Sequence, residues 1–290
     1  MGSCIYPRTI RREIYGKVQG ITIPCGKCVE CLQRKRQEWV FRLLSELKDA
    51  QTCYFVTFTY DDEHLPKDDL GYYQLDKRDV QLFFKRLRKQ YPENGIRYFL
   101  CGEYGTHTFR PHYHAIIFNL PLDNTPSRIK LTKKLETIWQ KGHVDIGDTV
   151  NGAAINYCAK YIMYKHSVSE HHVKPFILTS RRPGLGSNYI NSQQIRNYHQ
   201  SCDDNLAMVD GCKLPLPRFY STKIFTPKEL EERYYRLRDK QEQEMKEKLH
   251  HDLTTKTCLQ MALEERNAIE ARNANERNKL NFLTKSRNTL

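Results

Sequence analysis

Aromatic and β-branched residues are concentrated near residue 54, and the apolar positions that follow have a helical spacing. Residues 54–60 read YFVTFTY, a composition typical of a strand. Over residues 76–91 the apolar positions recur every three or four residues, as at Val80, Phe83 and Leu87. The two patterns predict a strand followed by an amphipathic helix.

Residues 97–165 continue this alternation of strands and helices. We expect two strands (97–103 and 112–120), a helix (127–140), a short strand (143–146) and a further helix (153–165). The order β-α-β-β-α-β is that of a split βαβ arrangement. The sequence therefore predicts an α+β fold, a ferredoxin-like or RRM-like antiparallel sheet flanked by helices.

The pattern outside this region suggests three segments along the chain. Residues 1–50 hold a cysteine-rich segment and a basic helix that ends near residue 48. The α+β domain, with an irregular extension over 171–221, is expected to occupy residues 51–225. Residues 226–290 are rich in Glu, Lys, Arg, Gln and Asn and are expected to form a charged helical tail.

The charge balance points to an anionic partner. The 290 residues carry 47 Lys+Arg against 34 Asp+Glu, a net charge of +13, of which residues 226–290 supply only +2. Phosphate polymers are common partners of basic proteins. The sequence has no apolar run of about 18 residues and no apolar secretory core at its start, so we expect no membrane span. We expect its ten cysteines to be reduced thiols in a cytoplasm.

His112 and His114 are two residues apart in a predicted strand, so their side chains point to the same face. Two adjacent imidazoles can chelate one divalent metal. Glu103 ends the preceding strand, and if the two strands are antiparallel neighbours its carboxylate lies within reach of both histidines. These three residues are candidate ligands of Mg²⁺ or Mn²⁺. The alternatives are a chance histidine pair and a surface glutamate.

Tyr157 and Tyr161 are four residues apart in a predicted helix and therefore share one face. Tyrosine can act as a covalent nucleophile, but its pKa near 10 requires activation by a cation or a base. Lys160 and a nearby metal are candidates for that role. The alternative interpretation is that both tyrosines are ordinary residues at the edge of the core.

Cys25, Cys28 and Cys31 form a C-x2-C-x2-C run. This spacing is typical of zinc knuckles, which need a fourth ligand to complete a tetrahedral site. Cys4 is the nearest candidate for that ligand, and the others are Cys53, Cys202 and Cys212. The alternatives are that the cysteines are small packing residues at a helix start, or that they hold an iron–sulfur cluster.

The strings PCGKCVEC, FVTFTYDDEHLP, CGEYG, RPHYHAIIF and YCAKYI occur in this order along the chain. Together they resemble the HUH endonuclease superfamily, and within it the two-tyrosine replication initiators of microviruses of the gokushovirus type. The resemblance covers more than half of the chain. It implies that residues 51–225 are an HUH-type domain that nicks and rejoins single-stranded DNA.

The resemblance also implies a mechanism, rolling-circle replication initiated by a metal-dependent endonuclease. The metal, held by His112, His114 and Glu103, would polarise the scissile phosphate. Tyr157 and Tyr161 would attack in turn, forming a 5′-phosphotyrosine link and a free 3′-hydroxyl primer, with Lys160 stabilising the developing charge. The implied partners are a single-stranded origin and the host polymerase and helicase in a bacterial cytoplasm.

Two other interpretations fit parts of the sequence. A plasmid relaxase or a single-strand transposase would use the same chemistry, but the cysteine run and the CGEYG string fit those proteins less well. A non-catalytic zinc-knuckle protein that binds nucleic acid would explain the charge and the cysteines. It would leave the paired histidines and the spaced tyrosines without a role.

Overall fold

A computed structural model describes residues 4–14, 17–121, 128–149, 155, 159, 170–202, 205–209, 212–255, 257, 260–261, 263–271 and 273–274. The backbone forms two compact units. The first unit is Leu32–Tyr189, and the second combines Met1–Cys31 with Ile190–Leu290. These units do not coincide with the division into 1–50, 51–225 and 226–290, which stays a prediction.

The strands are β1 (Arg8–Ile14), β2 (Lys17–Ile23), β3 (Cys53–Thr59), β4 (Arg97–Tyr104), β5 (Pro111–Phe118), β6 (Val144–Thr149), β7 (Phe176–Thr179), β8 (Leu206–Val209) and β9 (Cys212–Pro215). The helices are α1 (Val29–Asp49), α2 (Lys77–Gln90), α3 (Arg128–Trp139), α4 (Gln193–Ser201), α5 (Arg218–Ile224) and α6 (Pro227–Thr255).

A five-stranded sheet with the order β6-β3-β5-β4-β7 forms the centre of the first unit. All neighbouring strands are antiparallel. Along the chain, β3, α2, β4, β5, α3 and β6 follow in the predicted order, and their positions in the sheet are those of a split βαβ arrangement. The α+β prediction is therefore confirmed.

Helix α2 shows how local sequence sets an element of this unit. The carboxylate of Asp76 caps the helix by accepting a hydrogen bond from the backbone N–H of Arg78 (2.6 Å). The helix ends at Gln90, and the short 3₁₀ turn that follows it, Pro92–Asn94, ends at Gly95, whose φ of 58° is left-handed. The apolar face of α2, which includes Phe83 and Phe84, is buried. Burial of each phenylalanine contributes about 1.5–3 kcal/mol.

Each face of the sheet carries its own hydrophobic cluster. On one face, α2 and α3 pack against Tyr113, Ala115 and Ile117 of β5. On the other face, residues of α1 pack against Ile116 and Phe118 of the same strand. Because side chains alternate along a strand, His112 and His114 belong to the α1 face.

The stretch that we expected to be irregular, 171–221, is more ordered than predicted. It contains β7, α4, β8, β9 and the start of α5. Strand β7 pairs with β4 and extends the central sheet by one strand. The sequence signal was weak because each of these strands has only four residues, too few to display an alternation.

In the second unit, β1 and β2 form a separate two-stranded antiparallel sheet, as do β8 and β9. The hairpin of β1 and β2 was not predicted from the sequence. The tail is helical over α6, and the described residues in 260–274 are also helical, as predicted. Among the helices that the structure describes, none has the length and apolar character needed to cross a membrane.

Candidate metal centre

The register of β4 and β5 brings the three predicted metal ligands to one place. Glu103 pairs with His112, and Cys101 pairs with His114. Since paired residues in antiparallel strands point to the same side of the sheet, Glu103 shares a face with both histidines. The expectation that the two strands are antiparallel neighbours is thus met in the structure.

One carboxylate oxygen of Glu103 lies between the two imidazoles. Its Oε1 is 3.0 Å from Nε2 of His112 and 3.1 Å from Nε2 of His114. The side chains are 12% (Glu103), 21% (His112) and 14% (His114) exposed. The three side chains are thus largely, but not completely, shielded from water.

Backbone and side-chain groups behind the histidines fix the orientation of their rings. Nδ1 of His112 lies 3.3 Å from the carbonyl oxygen of Arg110, which can only accept a hydrogen bond. Nδ1 of His114 lies 3.1 Å from the hydroxyl oxygen of Thr57. The ring of Phe55 stacks on His114, with 5.5 Å between centroids and 10° between planes. These contacts direct both Nε2 atoms toward Glu103.

Glu103 is an ionised carboxylate at neutral pH. Burial opposes its ionisation, but hydrogen bonds from His112 and His114 and the attraction of their charge outweigh burial and lower its pKa to about 2. The group therefore supplies a negative charge to the site throughout the physiological pH range.

The donor set fits a divalent cation. Two ligands at adjacent corners of an octahedron lie about 3 Å apart when each is about 2.1 Å from the ion. The separations of 3.0 and 3.1 Å between Glu103 and the histidines match that distance. Three protein ligands leave positions for water or phosphate oxygens. The two nitrogen ligands suit Mn²⁺ better than Mg²⁺, because Mg²⁺ prefers oxygen.

Tyr157, Lys160 and Tyr161 lie outside the described residues. Two of their neighbours in the chain, Ile155 and Ala159, are helical and fully buried. Both belong to the cluster that contains Ile116 and Phe118, on the face of the sheet that carries the histidines. The segment that was predicted to be a helix therefore has two residues packed on the face of the sheet that carries the candidate metal centre.

The structure gathers the cysteine run and its nearest predicted partner into one group in the second unit: Cys4, Cys25, Cys28 and Cys31. Cys53 is instead buried in the core of the first unit. Cys202 follows the end of α4, and the side chain of Cys212 lies outside the described residues.

The sequence alone did not indicate a role for Thr57, Phe55 or the carbonyl of Arg110. The sequence signal for Phe55 and Thr57 was the strand pattern YFVTFTY, which places both side chains on the same face. In the structure, Thr57 pairs with His114 across β3 and β5. Only the pairing of the strands, which the sequence does not give directly, brings that face to the histidines.

Aromatic rings cluster at the end of the sheet where β4 and β5 are joined. His172 contacts Tyr72, Tyr104 and Phe109, with ring centroids 5.6, 5.1 and 5.8 Å away. His171 stacks on Tyr72 at 5.1 Å. Tyr72 and Phe109 are 42% and 47% exposed. Exposed rings of this kind can stack on the bases of a single strand.

The chain is similar to replication proteins of small bacterial viruses. The family model for the replication-associated protein ORF2/G2P matches residues 53–166. The chain is 32% identical to the replication-associated protein ORF2 of Spiroplasma virus 4, over 70% of this chain and 68% of the relative. It is 28% identical to the replication-associated protein VP4 of Bdellovibrio phage phiMH2K, over 72% and 69%. No solved structure matches the chain.

Proposed function

The chain belongs to the replication-associated protein ORF2/G2P family, and from this premise we propose that it initiates rolling-circle replication as a metal-dependent endonuclease. Its substrate is single-stranded origin DNA, which it cuts at one site and later rejoins. The observation that carries the proposal is the convergence of Glu103, His112 and His114 on one point. This donor set is suited to a divalent cation beside a phosphodiester.

Glu103, His112 and His114 hold the cation, Mn²⁺ or Mg²⁺. When bound, the cation supplies Lewis acidity that polarises a non-bridging oxygen of the scissile phosphate. Thr57 and the carbonyl of Arg110 keep the imidazoles oriented through their Nδ1 atoms. The negative charge of Glu103 offsets part of the positive charge of the cation.

Tyr157 and Tyr161 are the proposed nucleophiles. The phenol oxygen of one tyrosine attacks the phosphorus and loses its proton, and the bond from phosphorus to the 3′ oxygen breaks. The leaving 3′ oxygen takes up a proton and becomes the hydroxyl that primes a host polymerase. The 5′ phosphate stays on the tyrosine. Lys160 stabilises the charge that develops on the phosphoryl or leaving group.

The second tyrosine acts after one round of synthesis. It cuts the regenerated origin, so the displaced strand can be rejoined through its free 3′-hydroxyl. The packing of Ile155 and Ala159 beside Ile116 supports the use of this segment, because it joins the segment to the histidine face of the sheet. The exposed rings of Tyr72 and Phe109 are proposed to stack on bases of the bound strand.

A covalent-adduct assay tests this proposal. The full chain is incubated with Mn²⁺ and labelled circular single-stranded DNA of the genome that encodes it, and protein–DNA adducts are separated under denaturing conditions. We expect an adduct that disappears with a chelator and in the double variant Tyr157→Phe, Tyr161→Phe. Tyr164→Phe, which changes a tyrosine outside the pair, should keep it.

The metal centre is tested in the same assay. His112→Ala and His114→Ala should lose the adduct, whereas His143→Ala should keep it, because the His143 side chain is 79% exposed and lies outside the site. An adduct that survives the double tyrosine variant would contradict the assignment of the nucleophiles. No adduct with any divalent metal would contradict the proposed activity and favour a non-catalytic binding protein.

A further inference from the structure

Four cysteines come together in the second unit from two parts of the chain. Cys4 precedes β1, whereas Cys25, Cys28 and Cys31 follow β2, with Cys31 in the first turn of α1. Their four sulfur atoms lie within 4.8 Å of one another. Because 20 residues separate Cys4 from Cys25, this grouping results from the fold and not from sequence proximity.

The separations of the sulfur atoms fit a tetrahedral metal site. The Cys25 and Cys31 sulfurs are 4.0 Å apart, and those of Cys4 and Cys28 are 3.9 Å apart. Four thiolates at about 2.3 Å from a central Zn²⁺ would be about 3.8 Å from each other. A disulfide requires about 2.05 Å, far less than either observed distance.

The backbone around the run is shaped as a metal-binding knuckle would require. The N–H groups of Lys27 and Cys28 donate to the sulfur of Cys25 at 3.4 and 3.3 Å, and the N–H of Cys25 donates to the sulfur of Cys4 at 3.1 Å. Gly26, with φ of 73°, makes the tight turn between the first two cysteines of the run. These donors stabilise negative charge on the sulfurs, the form in which cysteine binds a metal.

We propose that Cys4, Cys25, Cys28 and Cys31 bind one Zn²⁺ ion, and that this ion clamps the base of the β1–β2 hairpin. The hairpin begins four residues after Cys4 and ends two residues before Cys25. A metal bridge between these cysteines therefore joins the start of β1 to the end of β2.

The described side chains of the hairpin bury little surface that could stabilise it. It forms a sheet of its own, and most of its described side chains are exposed, including Ile10 (42%) and Val18 (70%). An isolated two-stranded hairpin is at best marginally stable in water. The ion would keep in place a ribbon that presents the exposed basic side chains of Arg8 and Arg11.

Metal analysis of the full chain, purified without chelators, tests the site. We expect about one zinc per chain and, after exchange with Co²⁺, the charge-transfer absorption of cobalt bound to thiolates in a tetrahedron. Cys4→Ser should lose most of the bound metal. Cys202→Ser is the matched control, since Cys202 is a partly exposed cysteine outside the cluster, and it should keep a full equivalent.

The clamp is tested by limited proteolysis with trypsin and mass spectrometry. Removal of zinc from the wild-type chain, or Cys4→Ser, should increase the rate of cleavage at Arg8, Arg11, Arg12 and Lys17 at least several-fold, and zinc should restore protection only in the wild type. Peptides from β3–β5 should remain protected in every sample. This wild-type comparison holds even if Cys4→Ser does not fold.

Several results would overturn the proposal. They are an absence of stoichiometric metal, iron in place of zinc, a full equivalent of zinc in Cys4→Ser, or hairpin cleavage that does not respond to zinc. A thiol titration of the denatured, metal-free chain should find all ten cysteines, and two fewer would indicate a disulfide instead. None of these readouts depends on DNA cleavage, so they can fail independently of the proposed nuclease activity.

Discussion

At the scale of single residues, the contacts at Nδ1 of His112 and His114 determine whether the two rings are oriented to bind a metal ion. Thr57 is not itself a ligand, but its hydroxyl lies 3.1 Å from Nδ1 of His114 and so holds the ring in place. Partners of this type usually change metal affinity or activity by about 10- to 100-fold when they are removed.

We therefore expect Thr57→Val to weaken Mn²⁺ binding by about 10- to 100-fold, with a similar loss of adduct formation. Valine has nearly the shape of threonine but offers no oxygen to the imidazole. Isothermal titration of the full chain with Mn²⁺ measures the effect. Thr57→Ser keeps the hydroxyl and should bind within a few-fold of wild type. Equal affinity in the valine variant would show that His114 needs no support from Thr57.

The candidate ligands could be predicted from the sequence, but the residues that orient them could not. His112 and His114 are two apart in a strand, and Glu103 ends the strand before them, so a simple hairpin pairing brings the three together. Thr57 comes from β3, which is more than 40 residues earlier in the chain. Its position opposite His114 follows from the sheet order, which depends on the packing of the whole domain.

At the scale of elements, buried polar contacts attach strand β5 to the start of α2. The phenol oxygen of Tyr113 accepts a hydrogen bond from the backbone N–H of Asp76 (2.8 Å) and lies 3.0 Å from the hydroxyl of Tyr60. Tyr113 lies between His112 and His114 in sequence, with its side chain on the opposite face and fully buried. It therefore anchors the strand that carries both histidines.

Tyr113→Phe should destabilise the protein by about 1–3 kcal/mol, because it leaves the partly buried N–H of Asp76 without its acceptor. Urea unfolding followed by circular dichroism should show a lower midpoint with an unchanged slope. Tyr72→Phe is the control. Tyr72 is 42% exposed, and the loss of a surface hydroxyl should change stability by less than about 0.5 kcal/mol. Equal midpoints for the two variants would contradict the anchoring role of Tyr113.

The exposed rings at the end of the sheet lead to a prediction about DNA binding. Each base stacked on an aromatic ring contributes about 1–3 kcal/mol, which corresponds to about a 5- to 150-fold change in affinity. Tyr72→Ala should therefore weaken binding of a single-stranded oligonucleotide by at least about 5-fold in fluorescence anisotropy at fixed salt. Tyr72→Phe should keep the affinity.

Leu70→Ala provides a second control for the same loop. Leu70 is 71% exposed and apolar but has no aromatic ring, so its loss should leave DNA binding unchanged. If Leu70→Ala and Tyr72→Ala weakened binding equally, general disturbance of the loop and not base stacking would explain the effect.

Long elements were more predictable than short ones. The helix α2 and the strands β3, β4 and β5 differ from their predicted bounds by at most two residues, because each has enough residues to display its period. Among the side chains of the β1–β2 hairpin that the structure describes, none is buried, so they form no apolar face that would generate an alternation. Strand β7 has four residues and only partly buried side chains, so its pairing with β4 depends on the existing sheet edge.

At the scale of the whole molecule, most of the net positive charge lies outside residues 257–290. The chain carries a net charge of +13, and residues 257–290 account for only +2 of it. A chain that ends at residue 256 therefore keeps +11 and the whole of α6. If the DNA contacts lie in the rest of the chain, this truncation should leave the electrostatic part of binding nearly intact.

Salt dependence measures that electrostatic part directly. For a single strand, the logarithm of the association constant falls with the logarithm of salt concentration, with a slope of about −0.7 for each phosphate contacted. We expect the full chain and the chain ending at residue 256 to give slopes that differ by less than about 0.7, the value of one phosphate contact. Anisotropy titrations with one oligonucleotide over a range of NaCl concentrations provide both slopes. A difference equivalent to two or more phosphate contacts would indicate that residues 257–290 contact the DNA. The basic residues of this segment would then neutralise phosphates although its net charge is only +2.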